Sequence, residues 1–385
     1  MEATGAPPSP VLPGKAEQRK PEGFTREHTA LCKGVACMLL LFHHLFYREQ
    51  MLGGCVTLLD QLTGGTRGLE LVYGAAHAAK VCVALFLILS GYGLTESWKR
   101  TGGRAAREWG GFRFSLTHLL RLMCRYWLIF LLFVPFGALF GRDPAVLFLS
   151  STPLKMWIKI AINFTGMSNL LFGSTQYTFN ATWWYMSVMI PCYLLFPVLR
   201  RLSAKSPLLL IPVMALCALG MFVPYAKNIA FWIIPFLLGM LLSDYGVLDA
   251  CVRFFAPRPA WLSLLAGVLP VLAVSLLRGR SAYYWDLLLA PCVILFCIAV
   301  LARSGALRRS LQFVGRHSGN IFLFHSFLCA YYFADIIYAP RYPLLILLLL
   351  LGASLLISMG IERLVSLLSA LRGRIGRGGA PGALI

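Results

Sequence analysis

The stretch LCKGVACMLLLFHHLFYRE (residues 31–49) has the apolar composition of a membrane-spanning helix but carries ionisable side chains within it. Lys33 lies near its first end, and His43 and His44 lie near its other end. Ionisable groups are costly in hydrocarbon, so their presence inside a spanning segment indicates a functional site. The stretch therefore predicts a membrane helix that carries residues with a chemical role.

The rest of the chain has the same apolar character. Of its 385 residues, 58% are hydrophobic and 13% are charged, and long apolar runs recur along its length. Lipid cannot hydrogen-bond to a backbone, so spanning segments are helices or closed barrels, and the sequence lacks the short alternating segments of a barrel. We therefore predict an all-α, polytopic integral membrane protein with about ten transmembrane helices.

We predict ten spans, with their boundaries placed to within several residues. They cover residues 30–47, 76–95, 122–140, 183–199, 207–224, 229–245, 260–277, 284–302, 319–338 and 343–361. Pro191, Pro235 and Pro291 fall inside three of them, where proline predicts a kink rather than a loop because neighbouring helices satisfy the freed backbone groups.

The net charge of +20 is explained by membrane topology rather than by a nucleic-acid partner. Lys and Arg collect in cytoplasmic loops, and most of those in this chain lie in the tails and in loops on the side of the N-terminus. The sequence therefore predicts a plasma-membrane protein with both termini in the cytoplasm. Residues 1–28 are predicted as a disordered tail, 29–362 as the transmembrane domain and 363–385 as a short basic tail. The cysteines form no CxxC pair, so no metal site is predicted.

Lys33 and His44 are eleven residues apart, which returns them to one helix face about 16 Å apart along the axis. His43 is turned about 100° away from that face. A lysine at a channel entrance can hold a phosphate of a long anionic co-substrate, and a deeper imidazole can take a proton from a hydroxyl. The alternative is a snorkelling lysine and a histidine that is satisfied by a neighbouring helix.

Four segments resemble motifs of the membrane acyltransferase-3 family, and they occur in the family's order. They are CKGVACMLLLFHHLF (32–46), KVCVALFLILSGYGL (80–94), TWWYMSVMIPCYLLFP (182–197) and HSGNIFLFHSF (317–327). The first resembles the signature Arg or Lys, ten residues, then His. Two positions differ from the family: Met189 replaces a Glu that many members carry, and three residues rather than two separate Arg121 from Arg125.

The resemblance implies an integral membrane O-acyltransferase. Such an enzyme transfers an acyl group, commonly acetyl, from cytoplasmic acyl-CoA to a hydroxyl of an exported or cell-envelope carbohydrate or of a lipid-linked sugar. Acyl-CoA is then a co-substrate, and no permanently bound cofactor is expected. Either the membrane domain acylates its acceptor directly, or a separate extracytoplasmic transferase does so, since a C-terminal SGNH-type domain is not expected in the short segment after the last predicted span.

The resemblance also implies roles for individual residues. His44 is the expected catalytic residue, acting as a general base or carrying the acyl group itself. The residues expected to bind acyl-CoA are Lys33, Lys80, Ser90, Arg121 and Arg125. The residues expected to bind the acceptor are Trp184, by stacking on a sugar ring, and His325. The alternatives are an interfacial aromatic belt for Trp184 and a buried, hydrogen-bonded histidine for His325.

Two other classes of function fit the sequence. Polar groups along the first span could line the pathway of a transporter or permease-like domain that performs no acyl transfer. The second class is a structural subunit of an envelope complex, for which replacing His44 should be harmless. Release of free CoA from acetyl-CoA by the purified protein separates the enzyme from both.

Overall fold

The computed structural model describes residues 23–101, 111–139, 152–172, 178–222, 227–279 and 283–378. Nearly all of these residues are helical, and none of them forms a strand. The first helix begins at Arg26, and the last one continues to Gly378. The remainder of both predicted tails lies outside the described residues.

The α-helices are numbered in chain order within the described residues. They are α1 (Arg26–Phe46), α2 (Glu49–Leu52), α3 (Leu58–Thr63), α4 (Arg67–Ala78), α5 (Cys82–Arg100), α6 (Phe112–Leu139), α7 (Pro153–Thr165), α8 (Ser168–Phe172), α9 (Trp184–Lys205), α10 (Leu210–Leu219), α11 (Lys227–Asp244), α12 (Val247–Phe255), α13 (Ala260–Arg278), α14 (Asp286–Ala299), α15 (Gly305–Ser326), α16 (Ala334–Tyr338) and α17 (Pro343–Gly378). We call the end of the bundle at which α1 begins the first face, and the end at which α1 ends the second face.

Seven helical segments in the described part of the chain are long and apolar enough to cross a membrane. They are Arg26–Phe46, Arg67–Arg100, Phe112–Gly137, Ala181–Lys205, Ala260–Arg278, Asp286–Arg303 and Pro343–Leu371. The helices α11 and α12, bent by 63° at their junction, make an eighth span if they are counted together. The all-α, polytopic prediction is confirmed, whereas the count of about ten spans is not.

The two remaining predicted spans coincide with less regular structure. The segment 207–224 contains a short apolar helix, Pro207–Leu219. The segment 319–338 begins within α15 and continues through a π-helix, Phe327–Tyr332. The three prolines expected inside spans do lie within α9, α11 and α14. Within the described residues, eight of the ten predicted spans therefore correspond to segments long and apolar enough to cross a membrane, with the bent pair counted as one.

Helices α1 and α15 pack with their backbones in contact. A Cβ atom added at Gly34 would lie 1.9 Å from the carbonyl oxygen of Leu311, and one added at Gly315 would lie 1.8 Å from that of Ala30. Small residues allow this close approach between helices in membranes, where packing rather than water exclusion drives association. The contact fixes the register of α1 against α15.

Helices α5 and α11 approach each other in the same way. A Cβ atom at Gly91 would lie 2.0 Å from the carbonyl oxygen of Phe236, and one at Gly239 would lie 2.0 Å from that of Ile88. Gly91 follows Ser90 directly, so the same contact determines where α5 presents the Ser90 side chain.

Asp60 holds the start of α4 near the second face. Its carboxylate accepts hydrogen bonds from the Thr57 hydroxyl at 2.7 Å and from the backbone N–H groups of Gly68 and Leu69 at 2.7 and 3.1 Å. These hydrogen bonds, that from Thr57 foremost, lower the pKa of Asp60. The carboxylate thereby satisfies N–H groups in the first turn of α4, which have no partner within the helix.

We expect Gly34→Ala to destabilise the protein, because the added methyl group has no space against the backbone of α15. Overpacking of a tight contact typically costs about 1–3 kcal/mol, which lowers the midpoint of thermal unfolding in detergent. Gly352→Ala in α17 is the matched control, since a Cβ atom there meets nothing within 4 Å. Equal unfolding midpoints for the two variants would contradict the tight α1–α15 contact.

Candidate active site

A cavity of about 280 Å³, which we call the main cavity, lies between α1, α5, α6, α9, α15 and α17. Charged and polar side chains line one part of it, namely Lys33, Arg125, Arg316, Asn320 and Glu362. Aromatic side chains line another part, and Met189 of the third quoted motif (182–197) also lines the cavity. The cavity thus joins a polar region to an apolar one, as a site for an amphipathic ligand requires.

Lys33 lines the main cavity and also a second cavity of about 340 Å³ at the first face. Arg26, Arg100 and Arg316 line the second cavity with it, together with one carboxylate, Glu96, so cations outnumber anions among the residues that line this cavity. The Lys33 side chain is partly buried, and it forms no hydrogen bond or ion pair with any residue in the described ranges. A cation placed in this way is available to an anionic ligand.

Arg125 has a partner within the protein. Its guanidinium donates to both carboxylate oxygens of Glu362, one of them at 3.1 Å, and donates to the Asn320 side-chain oxygen at 3.1 Å. The Asn320 amide donates in turn to Glu362 at 2.9 Å. The charge of Arg125 is therefore matched by a carboxylate on α17.

Arg121 was expected to act together with Arg125, and the structure does not bring the two side chains together in the cavity. Arg121 is exposed and is not among the residues that line the main cavity. The Arg125 side chain points from α6 towards α15 and α17, whereas the Arg121 side chain, one turn earlier, is exposed. Four-residue spacing placed both arginines on similar sides of the helix, but only one reaches the site.

Ser90 and three aromatic rings line the cavity at its apolar end. The Ser90 hydroxyl donates to the Phe86 carbonyl oxygen at 2.7 Å and also interacts with the Tyr185 hydroxyl. The rings of Phe86 and Phe322 meet edge to face with centroids 5.4 Å apart, and the rings of Tyr185 and Phe322 lie 4.4 Å apart. Ser90 is thus placed at the cavity wall, as the expectation for a donor-binding residue requires.

The imidazoles of His44 and His325 lie next to each other beyond these rings, with centroids 4.8 Å apart. His325 Nδ1 donates to the carbonyl oxygens of Ile321 and Phe322 at 2.9 and 3.1 Å, and its buried Nε2 has no hydrogen-bond partner in the described part of the chain. No described residue forms a hydrogen bond with His44 either. The pair therefore retains ring nitrogens that can accept a proton.

His43 faces a different helix from His44. Its Nδ1 donates to the carbonyl oxygen of Ala76 in α4 at 2.8 Å, whereas His44 packs against His325 in α15. The two neighbouring histidines thus have the divergent directions expected from the helical periodicity of α1. The hydrogen bond to Ala76 gives His43 a structural partner that His44 does not have.

Lys80 and Trp184 do not line the main cavity. Lys80 lies near the second face, where it interacts electrostatically with Asp286 and Arg278, themselves a buried ion pair. The partly buried Trp184 ring packs against Trp232, with centroids 5.7 Å apart. The structure therefore assembles Lys33, Ser90 and Arg125 around one cavity and places His44 and His325 behind it. Lys80 and Trp184 lie elsewhere.

The polar partners on the last two long helices, Asn320 and Glu362, were not among the residues predicted from the sequence. Glu362 lies one residue beyond the predicted end of the last span and is the last residue of the predicted transmembrane domain, so the sequence gives it no partner. Asn320 lies in a quoted motif, but nothing in the sequence links it to Arg125. A lone carboxylate at the end of a long apolar run was the available signal, because such a group needs a cationic partner.

Comparison with known proteins gives one match, to a protein family. The family model described as an acyltransferase domain, that of the acyltransferase-3 family, matches residues 30–363. No curated protein and no solved structure matches the chain. The matched range includes Lys33, His44 and His325 and ends one residue after Glu362.

We expect the Arg125–Glu362 pair to show energetic coupling. Arg125→Ala and Glu362→Ala should each lower the unfolding midpoint, and the double variant should lose less stability than the two single losses added together. Because both side chains are partly exposed, we expect a coupling of about 1 kcal/mol in a double-mutant cycle. The control is the cycle of Arg121→Ala with Glu362→Ala, in which the two losses of stability should be additive. Additive losses in the Arg125–Glu362 cycle as well would show that this pair does not stabilise the protein.

Proposed function

The chain belongs to the acyltransferase-3 family of membrane acyltransferases, and from this we propose that it transfers an acetyl group from acetyl-CoA to a carbohydrate hydroxyl. The acceptor in this proposal is an exported or cell-envelope polysaccharide or a lipid-linked sugar. One observation carries the proposal. Helix α1 holds at a cavity a lysine that has no partner among the described residues and, about three turns further on, an imidazole that packs against a second histidine.

Lys33 is the proposed phosphate contact for the CoA moiety. Arg26 and Arg100, which line the second cavity, supply further positive charge for the anionic end of the donor. Arg316 lines both cavities and also pairs with Glu27 at 3.4 Å. The main cavity then receives the pantetheine arm, whose amides meet the polar wall near Ser90. Arg125 acts through the Glu362 network rather than as a free cation, which supports Lys33 as the main electrostatic contact.

His44 is the proposed general base. It removes the proton from the acceptor hydroxyl while the hydroxyl oxygen attacks the thioester carbonyl carbon. The C–S bond then breaks, the new C–O ester bond remains, and the proton held by His44 passes to the departing sulfur to give CoA thiol. His325 is a positioning residue in this scheme, because its ring contacts His44 and its own Nδ1 is held by backbone carbonyl groups.

The proposed location is the plasma membrane with both termini in the cytoplasm. The excess of Lys and Arg on the side of the N-terminus supports this orientation. The donor would then enter at the first face and the acceptor at the second, where His44 lies. In the alternative scheme, the acyl group passes to a separate extracytoplasmic transferase, which acylates the acceptor.

The decisive experiment on the function is thiol release by the purified protein in nanodiscs. Acetyl-CoA is supplied with and without a carbohydrate extract of the cell envelope, and free CoA is measured over time. Release above that of empty nanodiscs supports acyl transfer. A protein that moves a substrate across the bilayer without releasing CoA would support the transporter class instead.

We expect a reporter fused to the C-terminus to be active on the cytoplasmic side only. An alkaline phosphatase fusion should be inactive and a fluorescent protein fusion should be bright, because the former requires export and the latter does not. The opposite pair of results would reverse the proposed direction of transfer while leaving the chemistry in place.

We expect Lys33→Ala to raise the KM for acetyl-CoA by about tenfold or more with a smaller effect on kcat, because a lost phosphate contact lies far from the bond that breaks. Lys33→Arg should stay close to the parent, since it keeps the charge. Lys155→Ala, at an exposed lysine of α7, is the control for a general loss of positive charge. An unchanged KM in Lys33→Ala would refute the phosphate contact.

We expect His44→Ala to abolish transfer and His43→Ala to retain substantial activity. General-base catalysis contributes about 10²–10⁴-fold, whereas His43 is engaged with the Ala76 carbonyl group rather than with the second histidine. Initial rates of CoA release are compared after both variants have been matched for membrane insertion and yield. Activity in His44→Ala with loss in His43→Ala would reverse the assignment.

A further inference from the structure

Three rings from three different helices close the apolar end of the main cavity. They are Phe86 of α5, Tyr185 of α9 and Phe322 of α15, and each is less than one tenth exposed. Phe86 and Phe322 meet nearly at right angles, and Tyr185 packs on Phe322. We call these three residues the aromatic floor.

The aromatic floor stands between the cavity and the histidine pair. Phe322 lines the cavity, and its ring centroid lies 6.4 Å from that of His325, which in turn packs against His44. Neither histidine is among the residues that line the cavity. An acyl group held in the cavity therefore meets the floor before it meets His44.

The floor is held in place by its helices. The glycine contacts fix α5 against α11 and α15 against α1, and Ser90 links the Phe86 backbone to the Tyr185 hydroxyl. Buried side chains in close contact do not yield freely to extra volume. A longer acyl chain must displace a ring, whereas a two-carbon acyl group needs the least displacement.

From this geometry we propose that the aromatic floor determines the acyl-chain length of the donor and restricts the enzyme to short acyl groups. The inference rests on the proposed function, which it deepens by naming the residues that select acetyl-CoA over longer acyl-CoA thioesters. Phe322 is the central residue because it contacts both other rings and lies nearest to the histidines. One misplaced methylene in a hydrophobic pocket changes kcat/KM by about 10–200-fold, so the floor can supply strong selection.

The test compares acetyl-CoA with butyryl-CoA as donors for the parent and for Phe322→Ala. The quantity measured is the ratio of kcat/KM for butyryl-CoA to that for acetyl-CoA, which is unaffected by the fraction of folded protein. We expect the parent to favour acetyl-CoA and Phe322→Ala to raise the ratio by about tenfold or more.

Phe324→Ala is the matched control. Phe324 lies on the same helix and is fully buried, but it stacks on Phe133 with centroids 5.2 Å apart and does not line the cavity. The control should keep the parental ratio even if its yield falls. An active Phe322→Ala with the parental ratio would overturn the inference, as would a parent that prefers butyryl-CoA.

A binding measurement covers the case in which Phe322→Ala loses turnover. Calorimetry with unreactive thioether analogues of acetyl-CoA and butyryl-CoA gives the ratio of the two Kd values directly, and the same shift is expected. A parent that binds and uses neither donor contradicts the proposed function itself. A parent that uses acetyl-CoA, combined with an unchanged ratio in the variant, contradicts only the role of the floor.

Discussion

The close contact between α1 and α15 determines the geometry of the whole site. Gly34 and Gly315 let the two backbones touch, and this single register brings Lys33 beside Arg316 at one end and His44 beside His325 at the other. A lateral shift of either helix would separate both pairs at once. The site is thus a property of a helix pair, and the other helices enclose it by contributing the cavity walls.

Electrostatic pairing distinguishes structural charges from available ones. In a low-dielectric surrounding an isolated charge is expensive, so most buried charges in this bundle have partners. Arg278 pairs with Asp286 and Arg125 pairs with Glu362, which makes these groups part of the framework. Within the described residues Lys33 has no such partner although it is partly buried, and a ligand phosphate would supply the missing counter-charge.

The sequence revealed what depends on one helix and missed what depends on several. The relation of Lys33 to His44, and the divergence of His43, follow from helical periodicity alone, so they could be read from the opening stretch. The partnership of His44 with His325 requires the register of α1 against α15, which no local pattern contains. The pairing of Glu362 with Arg125 likewise joins two distant helices, and apolar composition does not reveal a bent or π-helical segment.

The position of the histidines behind the aromatic floor also bears on a problem that every acyltransferase faces. A base that activates a sugar hydroxyl can equally activate water, and the thioester would then be wasted by hydrolysis. Here the ring of Phe322 packs against both Phe86 and His325, and neither His44 nor His325 lines the main cavity. Under the proposed function, the floor that limits acyl length would also keep the base unproductive until an acyl group displaces the rings. Selectivity for a short donor and protection from hydrolysis would then have one structural cause.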